Sequence, residues 1–381
     1  MRIQGGTVLV GGALAEADVD IDEADGIIRG VGGEGGNGRC LDARGLYVLP
    51  GIVDIHADAF ERQLMPRPGV GFPIDIALME SDRQAVANGI TTMFHGVTWS
   101  WEPGLRGADN ARAILAAIEA LRAQLAADTK LHLRHEIYNL EALGEIGDWL
   151  AERRIGMLGF NDHMPSASAP PRTRKIAEMA ARSGLSVEDF NALVERLRGH
   201  ADEVPGSIAA LAKTARASGV PLLSHDDVSP EQRRWFRSLD CRLAEFPTTV
   251  ETAQEATEAG DDIVLGAPNV VRGGSHIGWI GAADMIARGF CTILASDYYY
   301  PAPLLAAFRL VADGAKPLQQ AWAYVSERPA KAAGLHDRGA IAAGRRADII
   351  LVDAGDARRP KLVATLANGR VVHMVDADRL S

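Results

Sequence analysis

Between residues 90 and 137 the chain reads ITTMFHG (90–96), then ADNARAILAAIEALRAQLAAD (108–128), then LHLRHEI (131–137). The outer runs are short and apolar with β-branched residues. The middle one places apolar residues on a 3.6-residue period with charged residues opposite, so the stretch is strand, helix, strand. Runs of the first kind recur as GIVDIH (51–56), RIGMLGFNDH (154–163), VPLLSHDD (220–227), RLAEFP (242–247), DIVLGAPN (262–269) and CTILASD (291–297). Helical patterns fall at 75–88, 109–127, 141–153, 206–218, 248–259, 281–288 and 301–312. Eight short strands alternating with helices over about 280 residues is the count and size of a (β/α)8 barrel, an α/β fold. A doubly wound open sheet is the alternative, but no GxGxxG follows the first of these runs.

Outside this region the texture is different. Residues 1–50 hold Gly-separated β-type runs (RIQGGTVLV, ADVDID, GIIRGVG, GLYVLP), and the pattern returns from 338 as GAIAAGRRADIILVD and ATLANGRVVHMVD. Two ends alike in this way are expected to pair into one small β-sandwich domain, its parts being 1–50 and 338–381, beside a catalytic barrel at 51–337. Residues 164–205 are an insertion in that barrel long enough to serve as a lid.

Composition narrows the function. The chain has 381 residues, 47% of them hydrophobic and 24% charged, which excludes global disorder. Its net charge of −10 argues against a nucleic-acid or anionic-membrane surface but leaves room for a local basic pocket. Cys40, Cys241 and Cys291 form no CxxC pair and read as reduced, buried or half-buried thiols. The N-terminus has no basic region followed by an apolar one, and no eighteen apolar residues run together. The expectation is a cytoplasmic enzyme with a small-molecule substrate. Oligomeric state is left open, with a homodimer as the default for a large barrel enzyme.

Barrel enzymes carry their chemistry at the carboxyl ends of the strands, and five of the eight runs end in metal-competent groups. The first gives His56 and Asp58, whose i, i+2 spacing sends both side chains to one side. The third gives Glu136, the fourth His163, the fifth His225 with Asp226 and Asp227, and the eighth Asp297. Three imidazoles and three carboxylates (His56, Asp58, Glu136, His163, His225, Asp297) suit one or two divalent ions, zinc first, with manganese or iron as alternatives. Such an ion lowers the pKa of bound water to about 7, and a carboxylate then takes the proton. Asp297 is the expected base, with Asp227 or Asp226 next, and Glu136 is placed to bridge two ions. His135 points to the opposite face of its strand and reads as packing.

Two basic segments flank these strand ends. ERQLMPRPGV (61–70) sets Arg62 and Arg67 just beyond the first ligands. NVVRGGSHIG (269–278) follows the seventh run with Arg272, two glycines, Ser275 and His276, a composition suited to phosphate oxygens, although a plain turn also explains it. Arg172, Arg174 and Lys175, in the insertion, either reach over the site or open a solvated helix.

The arrangement resembles the amidohydrolase superfamily: a metal pair on the first strand, a bridging carboxylate, two histidines and a final Asp, with RGAIAAGRRADIILVD after the barrel. Within it, GIVDIHADAFERQLMPRPGV, LHLRHE, NDHMP, LSHDD, AEFPTT, GAPNVVRGGSH and ASDYYYPAPLL are similar to the PhnM-like diphosphatases of phosphonate metabolism. That resemblance implies hydrolysis of α-D-ribose 1-methylphosphonate 5-triphosphate to the 5-phosphate and diphosphate, with attack at the α-phosphorus. The chain departs from that branch at Ala59-Phe60. Two further readings stay open: hydrolysis or deamination at a C–N bond of a cyclic amide or amino-purine, and a barrel that has lost catalysis. The arginines argue against the first, and six intact ligand-type residues argue against the second.

Overall fold

The computed structural model describes residues 1–33, 38–67, 69–165, 173–273 and 281–381, with the side chains of 173–175 left aside. Eight parallel strands follow one another in chain order around a barrel: Ile52–Ala57, Ile90–Trp99, Asp128–Glu136, Met157–Asn161, Leu222–His225, Cys241–Glu245, Asp262–Gly266 and Ile293–Ala295. Every one of the eight sequence runs overlaps one of these strands, and 154–163, 220–227, 262–269 and 291–297 contain theirs entirely. Helix Ala108–Leu121 behaves as its periodicity requires, burying Ala111, Ile114, Leu115, Ile118 and Leu121 against the wall.

The barrel closes between its first and eighth strands. Ala57 bridges Asp297, the Asp297 N–H donates to the His56 carbonyl at 2.9 Å, and the Asp58 N–H donates to the Asp297 carbonyl at 3.1 Å. Lower in the same seam the strands are too far apart to pair. The N–H groups of Val53 and Leu294 instead donate to the carbonyls of Val325 and Tyr324, at 3.0 and 2.9 Å. This inserted backbone is held in turn by Trp322 Nε1 on the Pro50 carbonyl and Ser326 Oγ on the Gly51 carbonyl.

The first strand slips register against the second between Asp54 and Ala57. A bulge there lets Val53 and Ile55 join the apolar interior layer while His56 also faces inward above them. That layer contains Phe94, Met157, Leu223, Leu243, Val264, Ile293 and Ala295, and Ala330 and Ala333 pack against it from the helix Glu327–Ala332 and its end. The interior is therefore apolar below and polar at the carboxyl ends.

The terminal strands form the small β-unit. Arg2–Val10 pairs with Ala13–Asp22 antiparallel and with Cys40–Asp42 and Tyr47–Pro50 parallel, and Ile27–Val31 extends the edge. Tyr47–Pro50 joins the two chain ends by pairing antiparallel with Ile349–Asp353, which continues into Lys361–Ala367 and Arg370–Met374. The thiols of Cys241 and Cys291 are buried and that of Cys40 half-buried, none in a disulfide. Among the described residues no helix is long and apolar enough to cross a membrane.

Several helices were not expected from periodicity, among them the short Leu318–Ala323 and Glu327–Ala332 and one on the barrel wall. Pro230–Ser238, capped by Ser229 Oγ on the Gln232 N–H, buries only Arg233 and Phe236. Its inner face is made by an arginine, so no apolar stripe marks it. Among its described residues the insertion holds the α-helices Thr173–Ser183 and Val187–Arg198. They share a core of Met179, Ala180, Phe190 and Val194 that packs on Trp101, and Arg182 pairs with the buried Glu102 at 2.7 Å, so these two helices sit on the loop after the second strand.

Gly51 joins the small sheet to the first barrel strand, and a Cβ there would meet Thr91 Oγ1 at 2.2 Å and Cγ2 at 2.7 Å. Gly51→Ala should destabilise the protein by about 1–3 kcal/mol, the scale of overpacking against an anchored side chain. Gly147, inside helix Leu143–Ala151, has open space around its Cα. Gly147→Ala should stabilise by about 0.5–1 kcal/mol through helix propensity. Denaturant unfolding of the two variants checks the opposite signs.

Candidate active site

Six barrel strands bring their ends together. His56 and His225 lie nearly parallel with ring centroids 5.8 Å apart, and His163 meets His225 edge-on at 5.6 Å. Beneath each imidazole is a glutamate. Glu245, at the end of the sixth strand and fully buried, accepts from His56 Nδ1 at 2.6 Å and from His225 Nδ1 at 2.7 Å. Glu136 accepts from His163 Nδ1 at 2.5 Å and, through its other oxygen, from the His163 N–H at 3.0 Å. A carboxylate on Nδ1 fixes that nitrogen as the donor and leaves the lone pair on Nε2.

The carboxylates feel this arrangement. Burial would raise Glu245, yet the imidazoles hold it well below the usual carboxylate range. Burial likewise opposes, and His163 outweighs, for Glu136, which falls to about 2. Asp297 goes the other way: burial, then the charge of Asp58, raise it to about 7. That is the condition of a carboxylate able to take a proton near neutrality.

Three strand ends share a backbone device. Asp226, Phe246 and Asp297 have φ of 59°, 55° and 55°, the left-handed region that non-glycine residues rarely enter. Each donates its N–H to the next strand, Asp226 to Glu245, Phe246 to Val264 and Asp297 to His56. The ladder is thereby extended by one residue while the side chain turns. Phe246 lands edge-on against both His56 and His225, at 5.0 and 5.3 Å.

Among the described residues three groups of donors have ligand atoms within 4.8 Å of one another: His56, Asp58 and Asp297; His163, His225 and Asp226; and His56, His225 and Glu245, the last with its carboxylate already taken by the two Nδ1–H groups. The mixture of imidazole and carboxylate, with oriented Nε2 lone pairs, fits a first-row divalent metal. All six of His56, Asp58, Glu136, His163, His225 and Asp297 converge here. Both oxygens of Glu136 are engaged by His163, so in this geometry it orients an imidazole.

Asp227 is not in the ring. Its carboxylate lies behind the barrel wall, on Arg233 at 3.0 Å and Ser224 Oγ at 2.6 Å, because Ser224 alternates with His225 along the strand. Asp226 takes the place beside His225 instead, at 3.6 Å. His135 is buried on the outer face against Phe160, as packing requires.

Arg62 and Arg272 meet on one residue. Arg62 Nη2 donates to the Tyr298 carbonyl and Arg272 Nη1 to the Tyr298 hydroxyl, the latter at 3.3 Å. Tyr298 directly follows Asp297. Arg67 is exposed in a tight turn with Val70 and does not join them. Ser275, His276 and Arg172 lie outside the described residues, as do the side chains of Arg174 and Lys175.

Glu245 and Arg134 were not singled out from the sequence. Glu245 ends the sixth run, RLAEFP, and strand-end position was its only signal. Arg134 is two residues before Glu136 on the same strand face and enters the ring with it.

With the geometry in place, the chain can be compared with known proteins. Residues 47–376 match the family described as the amidohydrolase family. The chain is 34% identical over 332 residues to the α-D-ribose 1-methylphosphonate 5-triphosphate diphosphatase of Escherichia coli (strain K12), covering 84% of this chain and 86% of that one. It is 26% identical over 383 residues to an adenine deaminase of Methylobacterium nodulans, covering 96% of this chain but 56% of the deaminase. In fold it resembles the dihydropyrimidinase of Brevibacillus agri, with a TM-score of 0.67 and 15% identity over 98% of this chain and 95% of the other. The strand-end ring and the sequence match over most of its length agree: this chain belongs to the amidohydrolase family.

Proposed function

We propose that the protein is a metal-dependent hydrolase that cleaves the phosphoanhydride of α-D-ribose 1-methylphosphonate 5-triphosphate, releasing diphosphate and the 5-phosphate. The observation that carries this reading is the convergence of Arg62 and Arg272 on Tyr298, next to Asp297. Two guanidiniums from the segments after the first and seventh strands, which flank the eighth, suit the oxygens of a triphosphate and have little to offer a neutral heterocycle. The 34% identity with a diphosphatase of that name supports the same substrate class. In this reading residues 51–337 are the catalytic barrel and 164–205 its lid.

His56, Asp58 and Asp297, with His163, His225 and Asp226, are the residues that would hold one or two divalent ions, zinc first and manganese or iron as alternatives. When bound, such an ion supplies a water acidified to a pKa of about 7 and charge against the phosphoryl oxygens. Glu245 and Glu136 keep the imidazoles in the ligating tautomer. Asp297, beside the ion it would help to hold, is the carboxylate placed to take the proton of the attacking water. Attack at the α-phosphorus breaks its bond to the bridging oxygen, and diphosphate leaves with that oxygen and its electrons. Arg62 and Arg272 hold the leaving portion, which gains charge as the bond breaks.

Incubating the zinc-loaded protein with ribose 5-triphosphate compounds, nucleoside triphosphates, adenine and cyclic amides separates the readings. Diphosphate is the expected product. Ammonia alone would establish the C–N reading, which the similarity to adenine deaminase favours.

Arg272→Ala should lower kcat/KM for a triphosphate by about one to two orders of magnitude, the effect of losing a charge-assisted hydrogen bond of roughly 1.5–3 kcal/mol. Lysine should restore part of it, and a neutral substrate should be little affected; a uniform loss across substrates would make Arg272 structural. Glu245→Gln should weaken zinc binding about 10- to 100-fold, measured by chelator competition, since one amide cannot accept from two Nδ1–H groups as the carboxylate does.

A further inference from the structure

Arg134 brings a guanidinium into the ring. It is buried, with its side chain 5% exposed. Its Nη1 is 3.7 Å from Asp58 Oδ2, and its Nη2 is 3.2 Å from His225 Nε2. With the Asn161 amide oriented to satisfy its neighbours, the side-chain carbonyl accepts from Nη2 at 3.1 Å and from Nε at 3.3 Å. The guanidinium is therefore clamped from below by the fourth strand and lies between the group His56, Asp58 and Asp297 and the group His163, His225 and Asp226, touching one member of each.

Two consequences follow from elementary chemistry. Glu245 on Nδ1 leaves His225 with a single lone pair, at Nε2, and that lone pair already faces an N–H donor. A lone pair that accepts a hydrogen bond from a fixed cation is not available to an ion. Arginine also stays charged at any working pH, so it cannot yield its place by losing a proton. A divalent ion at His163, His225 and Asp226 would have to sit beside a fixed like charge. In the group His56, Asp58 and Asp297 the guanidinium reaches a carboxylate, Asp58 at 3.7 Å, which keeps further lone pairs for an ion, and it makes no hydrogen bond to His56.

We infer that Arg134 is the built-in second cation of this site: the chain holds one divalent ion, at His56, Asp58 and Asp297, and the guanidinium stands where a second ion would be held by His225. The inference rests on the metal-dependent reading above and adds a stoichiometry to it. It also gives Arg134 a task in the same reaction, as a fixed donor toward a phosphoryl oxygen that reaches the floor of the site.

The test is a zinc count. Full-length protein is dialysed against excess zinc, freed of loose ion, and analysed by elemental mass spectrometry, with thermal unfolding as the folding control. One zinc per chain is expected in the wild type, two in Arg134→Met, which has a similar stem and no charge, and one in Arg134→Lys. His56→Ala should lose the ion and His163→Ala should keep it. Two zinc ions in the wild type would overturn the inference and leave the hydrolase reading standing. So would one zinc in both the wild type and a folded Arg134→Met. If Arg134→Met does not fold, the wild-type count together with His56→Ala and His163→Ala still decides, because loss of the ion in His163→Ala places it on the wrong side. No zinc in the wild type would remove the metal-dependent reading as well, so the two failures are distinguishable.

Discussion

Barrel closure at Ala57 and Asp297 is the constraint on which the site depends. The strands joined there are about as far apart in sequence as the barrel allows, and the two backbone hydrogen bonds that join them involve the backbone of His56, Asp58 and Asp297. The same contact thus completes the sheet and sets three candidate ligands in register. A seam paired along its full length would make them rigid by strand pairing alone. Here the lower half is filled by Tyr324 and Val325, so the last helices of the chain are part of the wall. A change at Trp322 or Ser326, far below the ring, would reach it through this inserted backbone.

Above the apolar layer the interior becomes a set of buried charges, and these have to satisfy one another. A buried carboxylate is costly unless its oxygens are taken by good donors. Glu245 meets that condition with two imidazoles and Glu136 with the ring and backbone of one. Asp297 does not meet it, facing Asp58 across the seam, and its pKa rises in response. The contrast separates carboxylates that orient from a carboxylate poised to exchange a proton. Like-charge proximity and burial, both undone elsewhere in the ring, are kept at one position.

The fold by itself leaves the chemistry open. The dihydropyrimidinase of Brevibacillus agri shares the architecture at 15% identity, and an architecture does not decide which bond is cleaved. The site carries positive charge in an otherwise acidic protein: Arg62 and Arg272 at the mouth, on either side of Tyr298, and Arg134 on the floor. A net charge of −10 makes these local cations the features that an anionic substrate would meet.

Much of this was legible in the residues alone. The alternation of β-type runs with amphipathic helices determined the barrel, because period is a local property: each element carries its own pattern of burial. The ligand-type residues at strand ends were legible for the same reason, since a parallel barrel puts all its strand ends on one face. Helix Pro230–Ser238 escaped because its buried face is Arg233, whose partners Asp227, Ser224 and the Cys241 carbonyl come from other segments. That pairing also removed Asp227 from the ring and left its neighbour Asp226 there, a choice of face that a run of two aspartates does not reveal. Glu245 and Arg134 gained their meaning only in three dimensions, from histidines 189 and 91 residues away in the chain. Which group orients, which binds and which repels depends on distances across the barrel, and those are set by closure and packing.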